Sequence, residues 1–124
     1  MKIIEAITIT DELKPNNYTQ VDKIRWLSEL DGIIKNTIID THEGRENVVF
    51  DGYDEDTDIN TPLIVSAPYD EIYVKWLEAK IDYANAEFDK YNNSVIAYNK
   101  VFSEYARNYN RTHMYASGKQ RFKF

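Results

Sequence analysis

Three aspartates in the middle of this 124-residue chain have a spacing that can bind metal ions. Asp54, Asp56 and Asp58 match positions 1, 3 and 5 of an EF-hand calcium loop. Such a loop also needs Gly at its sixth position and Glu at its twelfth, where this chain has Ile59 and Val65. The pattern therefore argues against a metal site, and we expect a solvated, mobile loop that faces a partner.

Other patterns of catalytic residues are missing from the sequence. The chain has no cysteine, which excludes a thiolate metal site and a cysteine nucleophile. Its two histidines, His42 and His113, stand at opposite ends of helical elements, and no serine lies in a Gly-x-Ser-x-Gly elbow. Its four glycines lack the spacing of a phosphate-binding loop. We therefore expect that the protein is not an enzyme and has no cofactor.

The elements that would position any site are helical, because an apolar stripe runs from Tyr69 to Met114 without Gly or Pro. Its members are three or four residues apart, which is the period of a helix with one buried face. One helix of ~66 Å would be too long for a small domain, and Asn92-Asn93-Ser94 is the only cap-like cluster. The pattern predicts two helices, about 69–91 and 94–112, with one unbroken helix as the alternative. The stripe contains Tyr73, Leu77, Ile81, Ala84, Phe88, Tyr91, Val95, Tyr98, Phe102, Tyr105 and Tyr109, and the expected solvated faces carry Glu78, Asp82, Glu87 and Asp89.

Two further helices are predicted in the first third of the chain. The apolar residues of Lys2–Leu13 lie roughly on one side of a short helix. Thr19 and Asp22 have the Thr-x-x-Asp form of a near capping box. They begin a helix that is expected to run to about Thr41 and to be closed by a glycine cap at Gly44. Its expected buried face contains Ile24, Leu27, Leu30 or Asp31, Ile34 and Ile38.

The helical pattern of apolar residues does not continue through residues 45–66. Asn47–Phe50 and Thr61–Ser66 are short β-type runs, and the acidic turn 51–60 lies between them. The fold class predicted for the chain is therefore mainly α: a small bundle of about four helices with a short β-hairpin or extended acidic arm at about 45–66. A hairpin is marginal alone, so this segment should rest on the helices or on another subunit. One helical domain is expected over residues 1–115, followed by a flexible basic and aromatic tail over residues 116–124.

Charge is divided unevenly along the chain. Residues 40–71 carry ten Asp or Glu against the single Arg45, which gives a net charge of −9. Residues 97–124 carry six Lys or Arg against the single Glu104, which gives +5. The acidic middle and the basic end are expected to attract each other, within one chain or between copies.

Tyrosine is the remaining signal of a binding surface. Eight of the ten tyrosines fall between Tyr69 and Tyr115, and tyrosine is enriched at protein interfaces because it combines apolar area with a polar tip. Too many surround the helices for all of them to face one narrow core, so we expect oligomerisation through the helical faces. The candidate residues of a partner or subunit interface are Asp54, Asp56, Asp58, Tyr98, Tyr105, Tyr109, Lys119, Arg121, Phe122 and Phe124.

Two long runs of the sequence resemble a group of small phage and prophage proteins of Gram-positive bacteria. The runs are WLSELDGIIKNTIIDTHEG, from Trp26 to Gly44, and PYDEIYVKWLEAKIDYANAEFDKYNNSVIAYNKVFSEYARNYNRTHM, from Pro68 to Met114. Proteins of this group are encoded among head morphogenesis genes and are similar to the head–tail connector, or head-completion, adaptors of tailed phages. The likeness is a pattern of helices and aromatics that spans nearly the whole chain and contains no catalytic motif.

The resemblance implies a small helical bundle with an extended loop or arm. It implies a structural protein that forms a ring beneath the portal, extends the DNA channel and joins head to tail. The implied partners are other copies of the chain, the portal protein and the tail-side connector, while DNA passes through the channel without specific binding. The implied location is the virion, and the host cytoplasm during assembly, with no membrane.

A small helical regulatory or nucleic-acid-binding protein of a prophage is the alternative function. The net charge of −6 and the lack of a basic recognition helix argue against it. Tight binding to duplex DNA at low salt would favour it.

Overall fold

A computed structural model describes residues 1–116 of the chain and contains four α-helices within that range. They are α1 (Ile3–Leu13), α2 (Gln20–Thr37), α3 (Ile72–Ala84) and α4 (Phe88–Thr112), and short 3₁₀ turns cover Ile39–Thr41 and Arg45–Asn47. The predicted fold class, a mainly helical bundle of about four helices, is confirmed.

The start of α2 follows the sequence pattern, but its end does not. The Thr19 side chain accepts a hydrogen bond from the backbone of Asp22 at 3.1 Å, and the Asp22 carboxylate accepts one from the backbone of Thr19 at 3.4 Å, so the predicted capping box forms. The helix ends at Thr37, before the predicted end near Thr41, and the chain tightens into a 3₁₀ turn. Gly44, with φ +85°, precedes the second 3₁₀ turn and does not cap α2.

The long aromatic stretch is two helices, but the break predicted at Asn92-Asn93-Ser94 was wrong. The chain reverses at residues 85–87, and Ala86 adopts the left-handed conformation with φ +58°. The backbone of Ala86 donates to the carbonyl of Tyr83, and that of Glu87 donates to the carbonyl of Asp82, both at 3.0 Å. This is the Schellman pattern that ends helices, with alanine at the position that glycine usually occupies.

Helix α3 lies at the centre of the fold and packs against the other three helices. Helices α3 and α4 are antiparallel, since Trp76 contacts Tyr98 and Tyr83 contacts Tyr91. The predicted inner face of α2 is confirmed as part of the core. The buried core cluster contains Ile3, Ala6, Ile7, Ile24, Leu27, Leu30, Ile34, Ile38, Ile39, Leu63, Val65, Ile72, Tyr73, Leu77, Val101, Tyr105 and Tyr109.

Residues 48–68, which we call the acidic strap, cross the helices as irregular chain. No strand forms in residues 1–116, so the hairpin form of the 45–66 segment is not adopted. The two β-type runs do not pair because the strap bonds to the start of α1 instead. The backbone amides of Ile3 and Ile4 donate to the carbonyls of Thr61 and Ile59 at 3.1 Å and 2.9 Å. These contacts give partners to amides that the first turn of a helix leaves free.

Candidate interaction surfaces

An open cleft of ≈ 370 Å³ runs between α3 and α4. Residues 76, 80 and 83 of α3 and residues 91, 95 and 98 of α4 repeat the same i, i+4, i+7 spacing, which places each set on one helix face. Because the two helices are antiparallel, the two faces meet. We call this surface the aromatic cleft; it is lined by Trp76, Ala79, Lys80, Tyr83, Tyr91, Val95, Tyr98 and Asn99.

The inner end of the aromatic cleft is held in place by contacts of Trp76. Its ring centroid lies 5.1 Å from that of Tyr98, and its indole nitrogen donates to the backbone oxygen of Trp26 at 2.7 Å. The ammonium of Lys80 lies 4.8 Å from the Trp76 ring centroid, a cation–π distance. Burial raises the pKa of Tyr98 to about 12, so its hydroxyl is neutral at physiological pH. This end is therefore a fixed aromatic wall with one ammonium group beside it.

The outer end of the aromatic cleft is open to water. The rings of Tyr83 and Tyr91 lie 5.2 Å apart there, and Phe88 packs against Tyr83 with its centroid at 6.2 Å. Tyr83 is 60% exposed and Phe88 is 57% exposed. The cleft thus combines a supported interior with exposed aromatic surface at its mouth, an arrangement that suits contact with another protein.

The three aspartates predicted to face a partner lie together in the acidic strap. Asp54 accepts a hydrogen bond from the backbone of Asp56 at 2.9 Å, and Asp58 accepts one from the backbone of Asn60 at 2.9 Å. Asp54 and Asp58 therefore each use one carboxylate oxygen to stabilise a turn. All three side chains are exposed, and residues 1–116 contain no group of acidic or histidine side chains that could hold a metal ion.

A buried carboxylate on α2 ties the acidic strap to the helices. Asp31 is 0% exposed and accepts hydrogen bonds from the hydroxyls of Tyr53 and Tyr73, both at 2.6 Å, and from the backbone of Ile64 at 3.2 Å. The Tyr73 hydroxyl also accepts one from the backbone of Val65 at 2.7 Å. The strap is therefore an ordered part of the fold, where the sequence predicted a mobile loop.

Burial shifts the pKa values of Asp31 and of the two tyrosines that donate to it. It raises the pKa of Asp31, and the three hydrogen bonds to its carboxylate oppose that rise. Burial, and then the negative charge of Asp31, raise the pKa values of Tyr53 and Tyr73 well above the ordinary tyrosine value. Both hydroxyls therefore keep their protons and serve as donors to Asp31.

A second buried carboxylate lies where the sequence predicted a solvated face. Asp82 on α3 is 1% exposed, which corrects that expectation. The ammonium of Lys14 lies 2.6 Å and 2.7 Å from its two oxygens, and the hydroxyl of Ser94 donates to it at 2.6 Å. Ser94 therefore joins α4 to α3 and does not cap a helix, which explains why the predicted break at 92–94 fails.

The predicted interface tyrosines of α4 divide between two surfaces. Tyr98 lines the aromatic cleft, whereas Tyr105 and Tyr109 are 6% and 9% exposed and belong to the core cluster. Burial raises the pKa of both. They also form one wall of a second open groove of ≈ 450 Å³. We call it the terminal groove; it is lined by Ile39, Val48, Ile64, Ser66, Ala67, Pro68, Tyr69, Tyr105, Asn108, Tyr109 and His113.

His42 fastens the end of α4 beside the terminal groove. It is 2% exposed, with Nδ1 2.6 Å from the carbonyl oxygen of Ile38 and Nε2 2.9 Å from Oδ1 of Asn110. Its ring stacks on Tyr115 and meets the edge of Tyr109. The fold brings the two histidines together, since His42 and His113 have ring centroids 6.5 Å apart. The two rings contact aromatic rings, threonine hydroxyls, a backbone carbonyl and an amide, so His42 acts as a structural residue.

The remaining candidate residues of the sequence prediction lie outside the described part of the chain. They are Lys119, Arg121, Phe122 and Phe124.

No protein-family model, no curated protein and no solved structure matches this chain. Within residues 1–116, no helix has the length and apolar character needed to cross a membrane.

Proposed function

We propose that the protein is a structural adaptor of a tailed-phage particle, of the head–tail connector kind. In this proposal, copies of the chain form a ring beneath the portal, extend the DNA channel and receive the next tail-side component. The aromatic cleft is the observation that carries the proposal. The likeness of the runs Trp26–Gly44 and Pro68–Met114 to connector proteins supports the phage context.

The aromatic cleft supports a docking role because it is preorganised. Trp76 and Tyr98 are held by contacts within the fold, so little side-chain entropy is lost when a partner binds there. Tyr83 and Phe88 contribute exposed aromatic area, the kind of surface that dominates binding energy in protein interfaces. A partner with an apolar side chain of matching size fits the cleft.

The acidic strap supports a channel-facing role. Asp54, Glu55, Asp56 and Asp58 are exposed on two successive turns, and the acidic strap carries no Lys or Arg. A surface of this charge repels the phosphate backbone, so DNA can pass without binding. Because Asp31 anchors the strap, the negative charge keeps a fixed position relative to the helices.

The proposal is tested with portal-bearing, tail-less phage heads. The chain is incubated with these heads and with isolated portal protein, and the complexes are imaged by electron microscopy. The proposal predicts added ring density at the portal vertex and no retention of duplex DNA in a gel shift at low salt. Tight DNA binding, or no binding to heads in salts where the protein is folded, would contradict it.

A further inference from the structure

The second half of helix α4 carries a row of cations on the side that faces away from the core. Lys100, Arg107 and Arg111 stand at positions i, i+7 and i+11, which places them on one helix face over ~17 Å of its length. All three are exposed, and the buried residues of α4 lie on the opposite side. Glu104 lies on the same face, so three cations and one anion give a net charge of +2. We call this surface the basic face.

The cations of the basic face and the carboxylates of the acidic strap are not neutralised within the described structure. Over residues 1–116, no ion pair involves Lys100, Arg107 or Arg111. In the same range, no ion pair involves the five exposed carboxylates of the strap, which are Asp51, Asp54, Glu55, Asp56 and Asp58. The chain therefore presents two surfaces of opposite charge that do not pair with each other.

The fold keeps these two surfaces apart within one chain. The acidic turn lies against α2, where the backbone of Tyr53 donates to the hydroxyl of Ser28 at 3.0 Å and Asp54 lines a small cleft with Arg25. Helices α2 and α4 both pack on α3, and their backbones do not contact each other. Because Asp31 also anchors the strap to α2, the carboxylates are held on a different helix from the basic face.

A second copy of the chain supplies the complementary charge for both surfaces. Surfaces of opposite charge speed the encounter of two partners and fix their relative orientation. The strap contributes five negative charges and the basic face a net charge of +2, so the junction keeps a net charge of −3. A junction of this sign agrees with a channel through which DNA passes without binding.

We propose that the acidic strap of one copy docks on the basic face of a second copy. The contact joins two different surfaces of the chain, so it is heterologous, and it closes a ring when the rotation between neighbours allows. The inference rests on the proposed function, because it names the contact through which copies of the chain would form the ring.

Charge reversal on each surface tests the inference with the full chain. One variant combines Lys100→Glu with Arg107→Glu, and the other combines Asp54→Lys with Asp56→Lys. Sedimentation velocity over a concentration series at low salt should show self-association of the unchanged protein and at least about tenfold weaker association of each variant alone. An equimolar mixture of the two variants should associate again, since each reversed surface then meets its opposite charge.

The control and the salt dependence make this test specific. Glu12→Lys with Glu71→Lys makes the same change in net charge at two exposed positions outside the strap, and it should associate like the unchanged protein. Salt at ~0.5 M should weaken the association, because it screens exposed charges. An unchanged protein that stays monomeric throughout the series, or a mixture of folded variants that does not associate, would overturn the inference.

Zero-length coupling of carboxylates to amines tests the contact in the unchanged protein, so it does not depend on the folding of a variant. Equal amounts of ¹⁵N-labelled and unlabelled chain are coupled and analysed by mass spectrometry. The inference predicts products that join Lys100 of one label to a strap carboxylate of the other. Products found only within one label would place the contact inside a single chain and overturn the inference.

The contact and the connector function can fail separately. A chain that is monomeric and uncoupled in these tests, yet adds ring density to portal-bearing heads, would overturn the contact and keep the function. Charge-dependent self-association without binding to heads would keep the contact and contradict the function. Duplex DNA retained by the unchanged protein but not by Lys100→Glu with Arg107→Glu would assign the basic face to nucleic acid and overturn the inference.

Discussion

The ammonium of Lys14 sits 2.6 Å and 2.7 Å from the two carboxylate oxygens of Asp82, a residue only 1% exposed to water. Lys14 follows the last residue of α1, and Asp82 lies in the last turn of α3. The pair therefore joins the ends of two helices that are far apart in sequence. Ser94, which also donates to Asp82, adds α4 to the same junction.

Removing the cation of this pair should be costly. Lys14→Met leaves the Asp82 carboxylate buried without a counter-charge, and losing one partner of a buried pair costs about 3 kcal/mol or more. Lys90→Met is the matched control, because Lys90 pairs with Glu87 in water and should change stability little. Urea unfolding of both variants measures the difference. Equal losses would contradict the structural importance of the buried pair.

The strap should loosen when its anchor is removed. Asp31→Ala leaves the Tyr73 hydroxyl and the Ile64 amide without their acceptor, and unsatisfied buried groups cost about 1–3 kcal/mol each. We expect a lower free energy of unfolding together with faster proteolysis within residues 48–68. Asp58→Ala, which changes an exposed turn residue, is the control. An Asp31→Ala protein with unchanged cleavage of the strap would show that Asp31 does not anchor it.

Alkaline pH should destabilise the fold through its buried tyrosines. Burial and the charge of Asp31 hold the pKa of Tyr73 above the unfolded value of about 10. Burial also raises the pKa of Tyr98, to about 12. Above pH ~10 the unfolded chain therefore releases protons that the native protein keeps, and the free energy of unfolding falls as pH rises. Below pH ~10 this stabilising contribution is fully present.

Urea unfolding at several pH values from about 8 to 11 measures this dependence. Tyr98→Phe removes one of the late-titrating hydroxyls, so its free energy of unfolding should fall less steeply above pH ~10 than that of the unchanged protein. Identical slopes for the two proteins would rule out a contribution from Tyr98.

Two substitutions that suit the local backbone conformation should stabilise the protein. One replaces a glycine within a helix by alanine, and the other replaces an alanine in the left-handed conformation by glycine. Gly32 lies within α2, and a Cβ added there would meet Phe50 at an ordinary 3.7 Å. Gly32→Ala should therefore gain about 0.5–1 kcal/mol of helix propensity. Ala86 is in the left-handed conformation, so Ala86→Gly should gain about 1 kcal/mol.

Gly44→Ala is the contrasting variant for this pair. With φ +85°, Gly44 should lose stability when it acquires a Cβ. Thermal unfolding ranks the three variants, and a loss of stability in Ala86→Gly would contradict the account of the α3–α4 turn.

The helices and their buried faces could be predicted from the sequence because they follow local periodicity. Steps of three and four residues identified most of the inward faces of α3 and α4, but Ala84 and Phe88, which were also predicted on the buried stripe, are exposed beside the turn between the two helices. Thr19 with Asp22 identified the start of α2. The turn between α3 and α4 could not be predicted. It has alanine where glycine usually signals such a turn, and the cap-like Ser94 bonds across the hairpin instead.

The candidate interaction surfaces were predictable only in part, because they depend on contacts between residues that are distant in the sequence. The matched spacing of residues 76, 80, 83 and 91, 95, 98 is visible in the sequence, but the register that brings them together depends on the position of the turn. The partners of Asp31 are equally hidden. Tyr53 and Tyr73 are 22 and 42 residues away along the chain, and no local pattern links them.

Binding of cleft variants to portal-bearing, tail-less heads tests the central claim most directly. Tyr83→Ser combined with Tyr91→Ser removes both rings at the mouth of the cleft, and Ile96→Ser changes a residue of α4 that is 68% exposed and outside the cleft lining. The account predicts that the double variant binds heads at least about tenfold more weakly, while Ile96→Ser binds like the unchanged protein. Full binding by a folded double variant would contradict the claim that the aromatic cleft is the docking surface of an adaptor.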